Sequence, residues 1–222
     1  MSSAAQPYPL PLGAGHTAQA GHPEHAKDAL RSAIRAARSA RSDRRRQEAA
    51  HAFADVLESF PALVSARCVA VYAARPAEPD TGPLLERLAA RGVRVLLPVL
   101  GTGLQRDWAE YAGPDDLHQR APGRPPEPGT EHLGPQALAD AQVVVAPALA
   151  VDTSGVRLGQ GGGWYDRALE HAAAGVPVVA MVYAEEVYDA GERPLPREAH
   201  DRPVDAVATP QEWRWLRTPD AG

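Results

Sequence analysis

The alternation of short apolar runs with helix-compatible segments, sustained from residue 67 to residue 208, restricts the fold of this chain more than any other feature. Five runs qualify as strands: Arg67–Ala73, Val93–Val99, Gln142–Ala150, Pro177–Tyr183 and Val204–Ala208. Most are near-continuous in Val, Ala and Leu, the pattern of strands covered on both faces. The prediction is therefore a single α/β domain with a mainly parallel sheet flanked by helices. Thr81 can cap a helix running through Arg91 and stopping at Gly92, and a second helix is expected over Trp164–Ala174, closed by Gly175. Residues 101–132, dense in Pro and Gly, read as one long loop.

A long helical region precedes the strands. From Lys27 to about Phe60, Leu30, Ile34 and Ala37 recur at helical spacing, as do Ala49, Phe53, Val56 and Phe60. Lys27, Arg31, Arg35 and Arg38 keep the same period and share one stripe, with Arg35 and Arg38 read as a solvated charged face. Residues 1–25, rich in Pro, Gly, Ala and His without periodicity, are expected to be a disordered tail. His16, His22 and His25 in that tail lack the fixed geometry a metal needs. The folded domain is placed at 26–216, with a short tail at 217–222.

Composition removes several function classes. Cys68 is the only cysteine, so no intramolecular disulfide can form, and its run Cys68-Val69-Ala70-Val71-Tyr72 favours a buried, inert thiol. Nowhere do 18 consecutive apolar residues occur, and the first twenty residues lack a basic start followed by an apolar stretch, so a soluble cytoplasmic protein without membrane contact is expected. The net charge of −5 hides a split: residues 27–46 carry eight basic side chains against Asp28 and Asp43, and the remainder is strongly acidic. No aromatic residues interleave with those arginines, and the rest of the surface repels phosphate, which argues against nucleic acid.

One loop carries the chemistry. In Arg157-Leu158-Gly159-Gln160-Gly161-Gly162-Gly163-Trp164-Tyr165-Asp166-Arg167, four glycines fall within five positions between an apolar run and a helix-like run. Glycine lets backbone N–H groups approach an anion closely, and the helix expected from Trp164 would aim its positive end at the loop. GxGxxG fails because Trp164 takes the third glycine's place, and GxxxxGK[ST] fails because no Lys-Ser or Lys-Thr follows. A polyphosphate cradle and a plain tight turn both fit the loop alone.

The whole run RLGQGGGWYDRAL resembles the signature of the 5-formyltetrahydrofolate cyclo-ligase family, also called methenyltetrahydrofolate synthetase. The likeness continues in order: Lys27-Asp28-Ala29-Leu30-Arg31 is similar to the family's K-x-x-L-R opening, Glu78-Pro79-Asp80-Thr81 to its E-x-x-T, and Glu127-Pro128 to its E-P pair. Ala148 to Arg157 resembles an apolar strand followed by D-x-x-G-x-R, and Leu195 to Asp201 the closing LP-x-E-x-HD element. The resemblance spans Lys27 to Thr209.

What the resemblance implies is a ligase of one-carbon metabolism that binds ATP, Mg²⁺ and a folate, and works as a monomer. Phosphoryl transfer from MgATP would activate the N5-formyl oxygen of 5-formyltetrahydrofolate. N10 would then close the ring to 5,10-methenyltetrahydrofolate with release of ADP and phosphate. Lys27, Arg31 and Arg157 become the phosphate cations and catalytic residues, and Leu158, Gly159, Gln160, Gly161, Gly162, Gly163, Trp164 and Tyr165 the nucleotide cradle. Ala73, Glu78, Gln160 to Gly163 and Trp164 become substrate contacts, with Glu78 accepting N–H bonds from the pterin edge. Asp166 and Asp201 become the metal carboxylates. Read from the residues alone, Asp166 equally suits the first turn of a helix, Asp201 an ordinary turn, and Trp108 either a ring platform or core. Gln160, Trp164 and Pro79 depart from the family pattern. A related ATP-dependent enzyme on another pterin-like or amide substrate, and a folate- or nucleotide-binding protein without turnover, are the rival readings.

Overall fold

A computed structural model describes residues 23–100, 106–198 and 201–217. Helix α1 (Pro23–Ser39) begins three residues inside the predicted tail, with Pro23 in the first-turn position where a missing N–H costs nothing. The rest of that predicted tail, and residues 218–222, lie outside the described residues. The predicted helical region is not continuous. Ser42 ends the first helical stretch and caps α2 (Asp43–Glu58), its side chain accepting from the Arg45 N–H at 3.4 Å. A short α3 (Pro61–Ser65) follows.

The chain enters β1 (Cys68–Ala70), passes through α4 (Gly82–Ala90) to its parallel neighbour β2 (Arg94–Val99), and doubles back as β3 (Asp107–Glu110). Strand β3 lies in the region read as a long loop. Its register sets Trp108 opposite Pro98, and the indole is fully buried, so Trp108 belongs to the core. A small ribbon of β4 (Leu117–His118) and β5 (Glu127–Pro128) comes next, and then β6 (Val143–Pro147) lands on the other side of β1, pairing Val69 with Val143. After β6 the backbone leaves the main sheet: β7 (Ala150–Asp152) and β8 (Arg157–Leu158) pair with each other. The predicted strand Gln142–Ala150 is therefore split between two sheets. Helix α5 (Trp164–Ala168) and a single 3-10 turn, Leu169–His171, replace the longer helix expected there. Then β9 (Val178–Met181) joins β6, β10 (Val187–Tyr188) joins β7, and β11 (Ala206–Ala208) and β12 (Trp213–Trp215) finish the far edge.

The main sheet has the order β12-β11-β9-β6-β1-β2-β3, parallel through its five middle strands and antiparallel at both edges. Its two faces are covered as the near-continuous apolar runs require. Phe53 and Leu57 of α2, with Leu84, Leu85 and Leu88 of α4, join the strand residues in one buried cluster. A second, smaller core packs Leu30 and Ile34 of α1 on Leu149, Leu158 and Tyr188 of the β10-β7-β8 sheet. Among the described residues, no helix is long and apolar enough to cross a membrane.

Sheet growth reverses between β1 and β6, since β2 was added on one side of β1 and β6 on the other. In open α/β sheets a crevice opens at such a reversal, beyond the carboxyl ends of the strands.

Candidate active site

A cavity of about 500 Å³ occupies that crevice, a volume typical of small-molecule sites. Its base is formed by Tyr72 and Ala73 beyond β1, Pro98 of β2 and Pro147 at the end of β6. Every residue singled out for the site in the sequence lines this one cavity: Lys27, Arg31, Ala73, Glu78, Arg157 through Asp166, and Asp201.

Helix α1 supplies one wall because its apolar column docks on the small sheet. Lys27 and Arg31 are then carried inward and are at least nine-tenths buried. The Lys27 ammonium donates to Asp201 Oδ2 at 3.1 Å and lies 3.6 Å from Glu198. Arg31 donates from Nη1 to Asp28 at 2.6 Å and from Nε to the Gly159 carbonyl at 3.2 Å.

Arg38 is not part of a solvated face, contrary to the expectation. It is 1 % exposed and forms a two-pronged ion pair with Glu186, at 2.8 and 2.6 Å, while Nη2 also donates to the Ala148 carbonyl at 2.8 Å. The reason is register: Arg38 stands four residues after Ile34 and eight after Leu30, in the column that α1 buries. Arg35 is exposed as expected, yet its guanidinium holds Gln160, donating to Oε1 at 3.1 Å and to the backbone carbonyl at 2.8 Å.

The glycine loop is shaped by arginines. Arg157 donates to the Pro147 carbonyl at 3.2 Å and to Asp166 Oδ1 at 2.8 Å, and Arg167 to the Gly162 carbonyl at 2.7 Å. Gly161 has φ +101°, a backbone conformation that calls for glycine, and its α-carbon faces the Arg31 guanidinium. The five-residue α5 is too short for the helix-dipole argument made from the sequence, and the cations at this loop are the side chains of Arg31, Arg157 and Arg167.

Glu78 sits opposite, 7 % exposed, with Oε2 accepting from the Arg75 N–H at 2.9 Å and Oε1 from the Gln160 amide at 2.8 Å. Its segment is pinned to the end of β1 from both directions. The Tyr72 hydroxyl donates to the Pro79 carbonyl at 2.6 Å, and the Thr81 hydroxyl to the Tyr72 carbonyl at 2.7 Å. Thr81 therefore makes no side-chain cap for α4, as was expected of it; its hydroxyl is spent on the strand. Trp164 meets Trp108 edge to face at 5.3 Å, so Trp108 backs the cavity wall from behind.

Three buried donors on the cavity wall have no hydrogen-bond partner among the described residues: Arg157 Nε, Trp164 Nε1 and the Tyr165 hydroxyl. Burial, reinforced by the Glu78 charge, pushes the Tyr165 phenol far above its ordinary range, so it stays protonated and able to donate. Unpaired buried donors cost free energy unless a ligand meets them.

Several residues that hold the site escaped sequence reasoning. Asp152 is fully buried and accepts four hydrogen bonds, from Ser154 N–H and hydroxyl, Val156 N–H and Leu195 N–H. It thereby ties the turn before Arg157 to the segment that carries Asp201. Gly155 in that turn has φ +89°, and a Cβ there would sit 2.5 Å from the Val204 carbonyl. Glu127 of the E-P pair accepts the Leu100 N–H at 3.0 Å beside the cavity. The signal for these roles was their place in the D-x-x-G-x-R and E-P motifs.

The sequence profile of the 5-formyltetrahydrofolate cyclo-ligase family matches residues 23–210. A protein of Mycolicibacterium smegmatis named 5-formyltetrahydrofolate cyclo-ligase is 40 % identical over 155 residues, covering 67 % of this chain and 76 % of that one. The Escherichia coli protein of the same name is 33 % identical over 186 residues, 82 % of this chain and all of its own. The solution structure of Aquifex aeolicus 5,10-methenyltetrahydrofolate synthetase superposes with a TM-score of 0.71 at 30 % identity, covering 86 % of this chain and 93 % of that one. With the family profile matched over most of its length and a relative of that name 33 % identical over that relative's whole chain, this chain belongs to the 5-formyltetrahydrofolate cyclo-ligase family.

Proposed function

We propose that this chain is a cytoplasmic, monomeric ligase that converts 5-formyltetrahydrofolate and ATP to 5,10-methenyltetrahydrofolate, ADP and phosphate. The observation that carries the proposal is the meeting of a buried carboxylate, Glu78, with three cations and a glycine loop across one cavity.

Glu78 offers a pterin's amino-pyrimidine edge a carboxylate that the Arg75 N–H already orients. Trp164 and Tyr165 present flat faces and unpaired donors beside it. Lys27, Arg31 and Arg157 approach from α1 and β8 to take the phosphate oxygens, and the cleft of Gly161 and Gly162 leaves room for a backbone-bound phosphate. The formyl oxygen takes the γ-phosphoryl group, N10 attacks the formyl carbon and gives up its proton, and the C–O bond breaks as phosphate leaves. Phosphorylation makes a poor amide-like electrophile reactive, so no protein nucleophile is needed.

The residues fit a Mg²⁺ held jointly with phosphate. Asp166 accepts from Arg157 and from the Arg202 N–H through Oδ1 alone, leaving Oδ2 without a hydrogen bond among the described residues, and the latter contact sets it one residue from Asp201. Among the described residues no three His, Cys, Asp or Glu stand together as an all-protein cage, so an ion here would be completed by waters and substrate oxygens. When bound, the ion neutralises charge developing on the phosphoryl oxygens.

The test is direct. Purified protein, MgATP and 5-formyltetrahydrofolate are mixed, and methenyl absorbance and ADP are followed together. Equimolar appearance of both supports the proposal, whereas absence of ATP-dependent product at high enzyme concentration refutes it. Binding of both ligands without turnover would favour the binding-protein reading.

A further inference from the structure

The side chain of Gln160 bridges the two halves of the cavity. From the glycine loop its amide donates to Glu78 Oε1 at 2.8 Å, and the Arg75 N–H occupies Oε2. Behind it, Arg35 grips both the amide oxygen and the backbone carbonyl of Gln160, and Arg31 grips the carbonyl of Gly159 next door. An amide whose oxygen is fixed by a guanidinium can only present its NH₂ group to the other side, which here is the carboxylate.

We propose that Gln160 is a latch that occupies the substrate carboxylate until nucleotide arrives, and so couples the two ligands. The inference rests on the functional reading above, in which Glu78 binds the pterin and the glycine loop binds phosphate. The amide of Gln160 imitates one N–H of the pterin edge, so the pterin and the latch compete for Glu78. The loop's hold on α1 runs through backbone carbonyls of Gly159 and Gln160, which are neutral acceptors. Phosphate oxygens are charged and form stronger bonds to guanidinium, so a triphosphate in the cavity displaces the Gly159 carbonyl from Arg31, which lines it. Once Arg31 releases the loop, the neighbouring Gln160 shifts on its Arg35 tether, loses its orientation and frees Glu78 for the folate. Nucleotide then tightens folate binding, and by linkage folate tightens nucleotide binding by the same factor.

Two variants test this. Gln160→Ala removes the competing amide, and Arg35→Met loosens it from the far end without touching Glu78. Affinity for 5-formyltetrahydrofolate is measured by titration calorimetry with and without a non-hydrolysable ATP analogue and Mg²⁺, and folding of each variant is checked by its thermal midpoint. In the wild type the analogue tightens folate binding. In Gln160→Ala, folate binds about tenfold tighter without nucleotide, the loss of one hydrogen bond to a charged acceptor, and the nucleotide effect shrinks toward one. Arg35→Met shows the same change, about two- to threefold. Folate affinity that is unchanged or weaker in Gln160→Ala, with the nucleotide effect intact, overturns the latch while leaving the enzyme assignment standing. A wild-type chain that binds no 5-formyltetrahydrofolate at all overturns the functional reading and the latch with it.

Discussion

The main sheet and the small β10-β7-β8 sheet are held by different forces. In the strands of the first, the buried side chains are nearly all hydrocarbon, from Val69, Val95 and Leu96 to Val144, Val145 and Val179. Around the second, Arg38, Asp152 and Glu186 are buried to 1 % exposure or less, and each is met by several directional bonds. Hydrocarbon burial is non-directional and tolerates small shifts, whereas a buried charge is stable only where its partners stand at bonding distance. The site hangs on the second region. α1 and β8 carry Lys27, Arg31 and Arg157, so the apolar column that seats α1 on the small sheet is joined there by directional polar contacts that fix the register of the phosphate wall.

The sharpest way to break this contrast is Glu186→Gln, which strands the buried Arg38 charge. It should cost about 3–5 kcal/mol of stability and weaken ATP binding as α1 shifts. Leu84→Ala in the main core should cost about 2–5 kcal/mol with the KM for ATP unchanged. Urea melts and steady-state kinetics on the same preparations compare them. A Glu186→Gln protein with normal KM for ATP would mean that α1 does not depend on the pair.

Asp166→Asn comes next. If the carboxylate holds Mg²⁺, turnover should fall at least a hundredfold, about 2.7 kcal/mol, and the Mg²⁺ requirement should rise. Near-normal activity at low Mg²⁺ would reduce Asp166 to a partner of Arg157. For Arg31→Ala, loss of a charge-assisted phosphate contact predicts about 1.5–3 kcal/mol in ATP-dependent kcat/KM. Arg35 is no neutral control, because it holds Gln160; the exposed Arg44 serves instead, and equal effects from Arg31→Ala and Arg44→Ala would contradict the phosphate contact. The smallest change, Ile34→Val, should cost only about 0.5–1.5 kcal/mol, with kcat/KM altered less than twofold. A larger kinetic effect would show that packing beneath α1, and not its polar anchors, sets the position of Lys27 and Arg31.

The two regions also differ in how far they could be read from the sequence. The five parallel strands were legible because burial on both faces writes itself as unbroken apolar runs. Strand β3 was not, since a short edge strand amid Pro and Gly has only Trp108 and Ala109 to bury. Nor was β12, whose Trp-Arg-Trp run leaves Trp215 partly exposed. In the cavity, Lys27, Arg31, Arg157, Glu78 and the glycines were legible as motif positions. Arg38 was not, because its partner lies 148 residues away and nothing local distinguishes a buried arginine from a solvated one. The same holds for Arg35 and Gln160, 125 residues apart.

Those separations bear on how the protein is made. Lys27 leaves the ribosome 174 residues ahead of Asp201, and Arg38 long before Glu186. At roughly 5–20 residues per second, the cationic helix waits on the order of ten seconds or more for the carboxylates that face it. During that interval the main sheet can gather its first strands through β6, but α1 has no finished surface on which to lie. The cavity is therefore closed by an early segment that returns across 174 residues to meet a late one, and a nascent chain cannot present a complete nucleotide site until Asp201 has emerged.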